Sequence, residues 1–103
     1  MLKSGSKEYS RNFRKALEAQ PDFPPALLEM ARLSRETGRP MVAREFLLRY
    51  EKVAGPTPES LALGVEIESA LGNARGASEQ MQTLYSRFPD STSVMSARQR
   101  LGQ

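Results

Sequence analysis

The 103-residue chain contains neither cysteine nor histidine. Without cysteine there is no disulfide, no zinc site built on thiolates and no sulfur nucleophile. Without histidine the sequence also lacks the commonest metal ligand and the commonest general base. No glycine-rich phosphate loop, nucleophile elbow or metal-ligand spacing compensates for these absences. We therefore predict a protein that is not an enzyme and that uses no cofactor and no metal.

Long apolar runs are missing as well. No stretch approaches the roughly 20 residues that span a bilayer, and the first seven residues lack the apolar segment of a secretory signal. The sequence therefore predicts no direct insertion of this chain into a membrane.

Charge of one sign is not concentrated enough to indicate a nucleic-acid partner. The net charge is +3, and residues 1–52 hold eleven basic and seven acidic side chains. This excess could favour an acidic partner. However, acids are interleaved throughout, which is typical of solvated faces on amphipathic helices, and a nucleic-acid binder would show a denser basic stripe.

What the sequence does contain is a repeat with an interval of 34 residues. The matching pairs are Pro24 and Pro58, Leu27 and Leu61, Gly38 and Gly72, Ala43 and Ala77, and Leu47 and Met81. This interval, with proline, glycine and small residues at fixed positions, is typical of tetratricopeptide repeats. We therefore predict an all-α, right-handed tetratricopeptide solenoid of about two and a half repeats plus a C-terminal capping helix. Such arrays usually hold another protein.

Six helices are predicted from helical spacing and from proline and glycine positions. They cover about 6–20, 24–38, 40–54, 58–72, 74–88 and 92–103. Thr57 is the expected N-cap of the fourth helix, but Ser60 stands where Glu or Gln would complete a capping box, so the box is predicted to be incomplete. The expected inward residues are Leu27, Met30, Ala31 and Ser34; Ala43, Phe46, Leu47 and Tyr50; Leu61, Gly64, Val65 and Glu68; and Ala77, Met81, Leu84 and Phe88.

The chain is interpreted as one array of repeats. Residues 24–57 and 58–91 form two repeats, residues 1–23 form the second half of an earlier repeat, and residues 92–103 form the capping helix. On this interpretation Ser4 and Gly5 make a turn between two helices.

An array that opens within a repeat would leave the apolar flank of its first helix without a partner. This flank contains Tyr9, Phe13 and Leu17. We therefore expect the chain to be a fragment of a longer repeat protein, or the flank to be covered by another chain, including by self-association.

A concave groove is the expected partner-binding surface. Its candidate residues are Leu28, Arg32, Arg35 and Glu36 in one repeat and Glu59, Ala62, Glu66 and Ser69 in the next. One half would be basic and apolar and the other acidic and small, which suits an extended or helical segment of mixed charge. Ordinary solvated surface is an equally good interpretation of any single residue. Capture of a C-terminal carboxylate is disfavoured, since that mode needs paired Lys and Asn.

Four segments are more distinctive than a generic repeat. Residues 21–33 read PDFPPALLEMARL, residues 46–50 FLLRY, residues 57–64 TPESLALG and residues 87–91 RFPDS. Together they resemble the C-terminal part of the type IV pilus biogenesis and stability proteins, bacterial tetratricopeptide lipoproteins sometimes called pilotins. The likeness covers about residues 2–91.

This resemblance implies a non-enzymatic scaffold in type IV pilus biogenesis. It implies a location on the periplasmic face of the outer membrane, through an N-terminal lipid anchor that this chain does not carry. The implied partner is the pilus secretin, which such proteins help to reach the membrane and to form multimers. The alternative is a generic peptide-docking adaptor or co-chaperone module in the cytoplasm.

Overall fold

The computed structural model describes residues 2–91, with side chains described from residue 10 onward. In that part of the chain there are five α-helices and no β-strand, which confirms the predicted all-α, tetratricopeptide-like fold class. The helices are α1 (Leu2–Ala19), α2 (Pro24–Glu36), α3 (Pro40–Ala54), α4 (Pro58–Ala70) and α5 (Ala74–Arg87). The predicted capping helix at 92–103 lies outside the described residues.

Proline fixes the start of three of these helices. Pro24, Pro40 and Pro58 are the first residues of α2, α3 and α4. Proline suits this position because its missing N–H would have no partner inside the helix and its φ angle is already helical. All three starts agree with the sequence prediction.

Glycine closes α2 and α4 by the same turn. Gly38 and Gly72 have φ angles of 79° and 74°, in the left-handed region where a side chain would be strained. After α4, the Asn73 N–H donates to the Glu68 carbonyl at 2.8 Å, and the Gly72 N–H donates to the Ser69 carbonyl at 3.1 Å. These two bonds are those of a Schellman motif. The equivalent bonds follow α2, with the same spacing of donors and acceptors.

The helices form two compact units, one that extends to Gly55 and one that begins at Pro56. In the first unit, α2 packs against both α1 and α3. Its buried apolar residues are Ala26, Leu27, Met30 and Ala31 from α2 and Ala43, Leu47 and Tyr50 from α3. An Nη atom of Arg49 donates to the Pro21 carbonyl at 2.8 Å, which ties α3 to the loop between α1 and α2.

In the second unit, α4 packs against α5. Leu61 and Leu84 form its buried centre, and the partly buried side chains packed against them are Ala62, Met81, Tyr85 and Phe88. Leu63 and Ile67 are also buried, although the single stripe predicted for this helix did not include them. The predicted stripe included too few residues. Apolar side chains lie on most sides of α4, so helical periodicity does not distinguish the face that packs against the core.

Two sequence predictions are wrong, one about α1 and one about α4. The turn expected at Ser4 and Gly5 is absent, because α1 continues through both residues from Leu2 to Ala19. A glycine within a helix costs only about 1 kcal/mol relative to alanine, so it does not end a helix by itself.

The second error concerns the capping box of α4, which is complete. The Ser60 N–H donates to Oγ1 of Thr57 at 3.1 Å, and the Thr57 N–H donates to Oγ of Ser60 at 2.8 Å. A serine hydroxyl supplies the acceptor that the sequence rule expects from a glutamate or glutamine.

Candidate protein-binding faces

The four candidate residues of α2 lie along its side away from the core. Leu28, Arg32 and Arg35 are half-buried and Glu36 is exposed, whereas Leu27 and its neighbours toward α3 are buried. A helix turns about 100° per residue, so positions 28, 32, 35 and 36 share one broad face. These four residues therefore share one side of one helix, and their role in a partner-binding groove remains a prediction. We call this surface the α2 face.

The α2 face is basic but partly neutralised. Arg32 forms an ion pair with Glu29, one turn earlier on the same helix, and their side chains are 38% and 23% exposed. Arg35 is half-buried, and its Nε atom is shielded from water. The apolar surface beside these charges comes from Leu28. This combination favours a ligand that offers both a carboxylate and an apolar side chain.

The four candidate residues of α4 form a corresponding surface in the second unit, the α4 face. Glu59 and Ser69 are exposed, and Ala62 and Glu66 are half-buried. Gly64 and Ile67 lie on the other side of α4 and are buried. The α4 face is thus acidic, with small side chains between the charges.

The two faces occupy equivalent positions with opposite charge. Arg32 and Glu66 are 34 residues apart, as are Leu28 and Ala62. The position that holds Arg32 in one repeat therefore holds an acidic residue in the next, and the position that holds Leu28 holds an alanine. The α2 and α4 faces belong to different units, and the single concave groove that would join them remains a prediction.

Two other kinds of function find no support in the part of the chain that the structure describes. There, no group of three or more His, Cys, Asp or Glu side chains is placed to hold a metal ion. None of the helices in residues 2–91 has the length and hydropathy needed to cross a bilayer.

Sequence reasoning missed an exposed apolar surface on α3. Among the described residues, the exposed large apolar side chains are Phe23, Met41, Val42, Leu48 and Val53, and four of the five belong to this helix. Phe13 and Leu17, on the flank where self-association was expected, are only half-buried, and the Tyr9 side chain lies outside the described set. The seven-residue spacing of Met41 and Leu48 was the available signal, since it places both on one side of a helix.

No family model matches the chain, and no curated protein matches it. A solved structure that is similar to it is the crystal structure of PilW, described as a widely conserved type IV pilus biogenesis factor. The two chains superpose with a TM-score of 0.81 and share 31% sequence identity over 92% of this chain and 44% of PilW. The resemblance to the PilW-like tetratricopeptide family is confirmed. This chain spans less than half the length of PilW, and the likeness holds in sequence as well as in fold.

Proposed function

We propose that this chain is a non-enzymatic protein-binding scaffold in type IV pilus biogenesis. The observation that carries the proposal is its similarity to PilW, which extends over 92% of the chain. The composition supports a scaffold rather than a catalyst, because the sequence contains no cysteine and no histidine. Stacked helical hairpins present a shaped surface to another protein, and this is the usual work of the fold.

The proposed partner is the pilus secretin, and the proposed location is the periplasmic side of the outer membrane. Both come from the family that the sequence resembles. In this role the chain would help the secretin to reach the membrane and to form multimers. The mixed charge of the two helical faces suits a protein segment better than a nucleic acid, since a phosphate backbone requires a surface of one sign.

The proposed binding surfaces are the α2 face and the α4 face. The α2 face would take an acidic part of the partner segment, through Arg32 and Arg35, with an apolar side chain against Leu28. The α4 face would take a basic part, through Glu59 and Glu66.

A genetic experiment tests the role. The gene that encodes this chain is deleted in its host, and secretin multimers are followed on gels while surface pili are counted. We expect fewer multimers and fewer pili, and we expect the wild-type gene to restore both. Normal pili after deletion would refute the pilus role. Lost pili with normal multimers would keep that role but exclude the secretin as the partner.

Cell fractionation distinguishes the alternative adaptor function. A protein that acts on the secretin must be found with the outer membrane fraction, whereas a cytoplasmic adaptor must be found with the cytosol. A matched pair of variants then tests the α2 face in the complemented strain. The pair consists of Arg32→Glu with Arg35→Glu, and Arg75→Glu with Arg87→Glu as the control of equal charge change on α5. Only the first pair should reduce multimer formation.

A further inference from the structure

Met41 is the most exposed methionine among those whose side chains the structure describes. Its exposed fraction is 57%, whereas that of Met30 is 4% and Met81 is half-buried. Met41 is the second residue of α3 and is not one of the buried residues of that helix, which are Ala43, Leu47 and Tyr50. Its side chain is thus open to small reagents in water, and the proposed function gives it no task.

A guanidinium lies beside the Met41 sulfur. Nη1 of Arg44, one turn later on α3, is 4.0 Å from Sδ of Met41. A thioether sulfur is a weak acceptor, so this contact is a weak one. The distance is long enough to admit one oxygen atom between the two groups, at hydrogen-bond distance from the nitrogen. An oxygen added to the sulfur therefore meets a charged donor that is already in place.

We propose that Met41 is a site of reversible oxidation to methionine sulfoxide by hydroperoxides, and that Arg44 binds the sulfoxide oxygen. A sulfur lone pair attacks one oxygen of the peroxide, so an S–O bond forms as the O–O bond breaks. The proton of the transferred hydroxyl group moves to the departing oxygen, which leaves as water or, from an organic hydroperoxide, as an alcohol. The methionine is oxidised by two electrons and the peroxide is reduced by two. A hydrogen bond from a charged donor to the new oxygen is stronger than one from a neutral donor.

Oxidation at this position should leave the fold intact. Met41 is outside the buried core of the first unit, so its sulfoxide stays in water. Met30, by contrast, is buried within that core, where a polar sulfoxide disrupts packing. Neither the α2 face nor the α4 face contains Met41. The modification is therefore a change of surface polarity at the beginning of α3, which sulfoxide reductases reverse.

Peptide mapping after treatment with hydrogen peroxide tests the site. Trypsin places the three described methionines in separate peptides, which are residues 16–32, 36–44 and 76–87. In the folded chain, Met41 should gain one oxygen at least about tenfold faster than Met30 and about threefold faster than Met81, since susceptibility follows exposure. In urea, where exposure is equal, the three rates should agree within about twofold. A folded chain in which Met41 reacts no faster than Met81 overturns the proposal.

Circular dichroism tests whether the modification is compatible with the fold. A chain oxidised at Met41 alone should keep the helical signal and the thermal unfolding curve of the untreated chain. Loss of helix on oxidation at Met41 would show damage to the structure and would contradict a reversible surface site.

The rate of repair tests the part assigned to Arg44. The oxidised chain is treated with the two methionine sulfoxide reductases, one for each sulfoxide epimer. Because the oxygen must leave Arg44 before a reductase takes it, Arg44→Gln should be repaired at Met41 about threefold faster than the wild type. Arg75→Gln, an equal charge change at an exposed position on α5, is the control and should be repaired at the wild-type rate. Equal repair of the wild type and Arg44→Gln contradicts the role of Arg44. These results do not depend on the role in pilus biogenesis.

Discussion

Thr57 and Ser60 are joined by three hydrogen bonds at the start of α4. Besides the reciprocal pair of the capping box, the Ser60 hydroxyl donates to the Thr57 carbonyl at 3.1 Å. Ser60 is fully buried although it is polar. Its hydroxyl is therefore satisfied within this one turn, and the beginning of α4 is fixed by two side chains rather than by proline alone.

We predict that removing either capping side chain destabilises the second unit. Thr57→Ala should lower the free energy of unfolding by about 1 kcal/mol, because the Ser60 N–H loses its acceptor. Ser60→Ala should have a similar effect, since the Thr57 N–H loses its acceptor. Urea denaturation followed by circular dichroism measures both.

The double variant tests whether the two side chains act together. Because the bonds are reciprocal, the loss in Thr57→Ala with Ser60→Ala should be smaller than the sum of the single losses. Thr83→Ala on α5 is the control, since its hydroxyl donates to the Glu79 carbonyl one turn earlier and caps no helix start. Strict additivity would show that the two caps are independent.

Asn73 gives a second prediction, because its side chain has two functions. Its Oδ1 atom accepts from the Gly76 N–H at 3.1 Å, and its Nδ2 atom donates to Oε1 of the buried Glu68 at 2.8 Å. Asn73→Ala removes both bonds and should cost about 2 kcal/mol. Asn73→Ser keeps a cap acceptor but loses the donor to Glu68, so it should cost about half as much. Equal losses in the two variants would show that the cap bond contributes nothing, and an Asn73→Ser variant as stable as the wild type would show the same of the bond to Glu68.

A substitution at Gly64 is predicted to raise the stability of the chain rather than to lower it. This glycine is buried in the middle of α4, and a Cβ atom there would lie 3.1 Å from Cδ and Oε1 of Gln80. Those atoms are the end of a flexible side chain, which can move away. Gly64→Ala should therefore stabilise the chain by up to about 1 kcal/mol through helix propensity. Gly64→Leu should destabilise it, because a larger side chain has no space beside α5. Thermal unfolding of both variants measures the difference, and a destabilised Gly64→Ala would show that Gln80 is held firmly.

The α2 face gives a prediction about binding. If the secretin is the partner, as proposed, Arg32→Glu with Arg35→Glu should weaken binding to its purified periplasmic domains at least about tenfold, since two bases proposed to face an acidic segment become acids. Arg75→Glu with Arg87→Glu should change it less than about twofold, because both side chains are exposed on α5, where Arg75 pairs with Glu79 and Arg87 lies over the ring of Phe88. Fluorescence anisotropy measures both dissociation constants. Equal effects of the two pairs would assign the loss to net charge rather than to the α2 face.

The sequence correctly predicted the helices that begin at proline and end before glycine. It failed where a sequence rule required one residue type although other residues can make the same interaction or conformation. Pro24, Pro40 and Pro58 could be placed because proline has few alternatives to the first turn. Ser60 was excluded from a capping box by residue type, although any well-placed oxygen can accept the bond. The turn at Gly5 was wrong because a helix can carry one glycine when no proline follows it.

The candidate site was predictable only as far as a helix face. The positions of Leu28 and Arg32 on one side of α2 follow from helical periodicity. The ion pair between Arg32 and Glu29 depends on rotamers, which periodicity does not specify. The exposed apolar side chains of α3 were missed because one apolar stripe, Ala43 to Tyr50, is enough to predict that helix, and helical periodicity does not call for a second stripe at Met41 and Leu48.

Because Asn73 both ends one helix through its backbone and begins the next through its side chain, this connection has no spare residue. An insertion of one amino acid would separate the two tasks and leave either the Glu68 carbonyl or the Gly76 amide without this support. Hairpin length is therefore set by hydrogen bonding at the corner. The corner between α2 and α3 has the same length with Arg39 in the equivalent position, where the backbone bond to Ser34 is present without a side-chain cap.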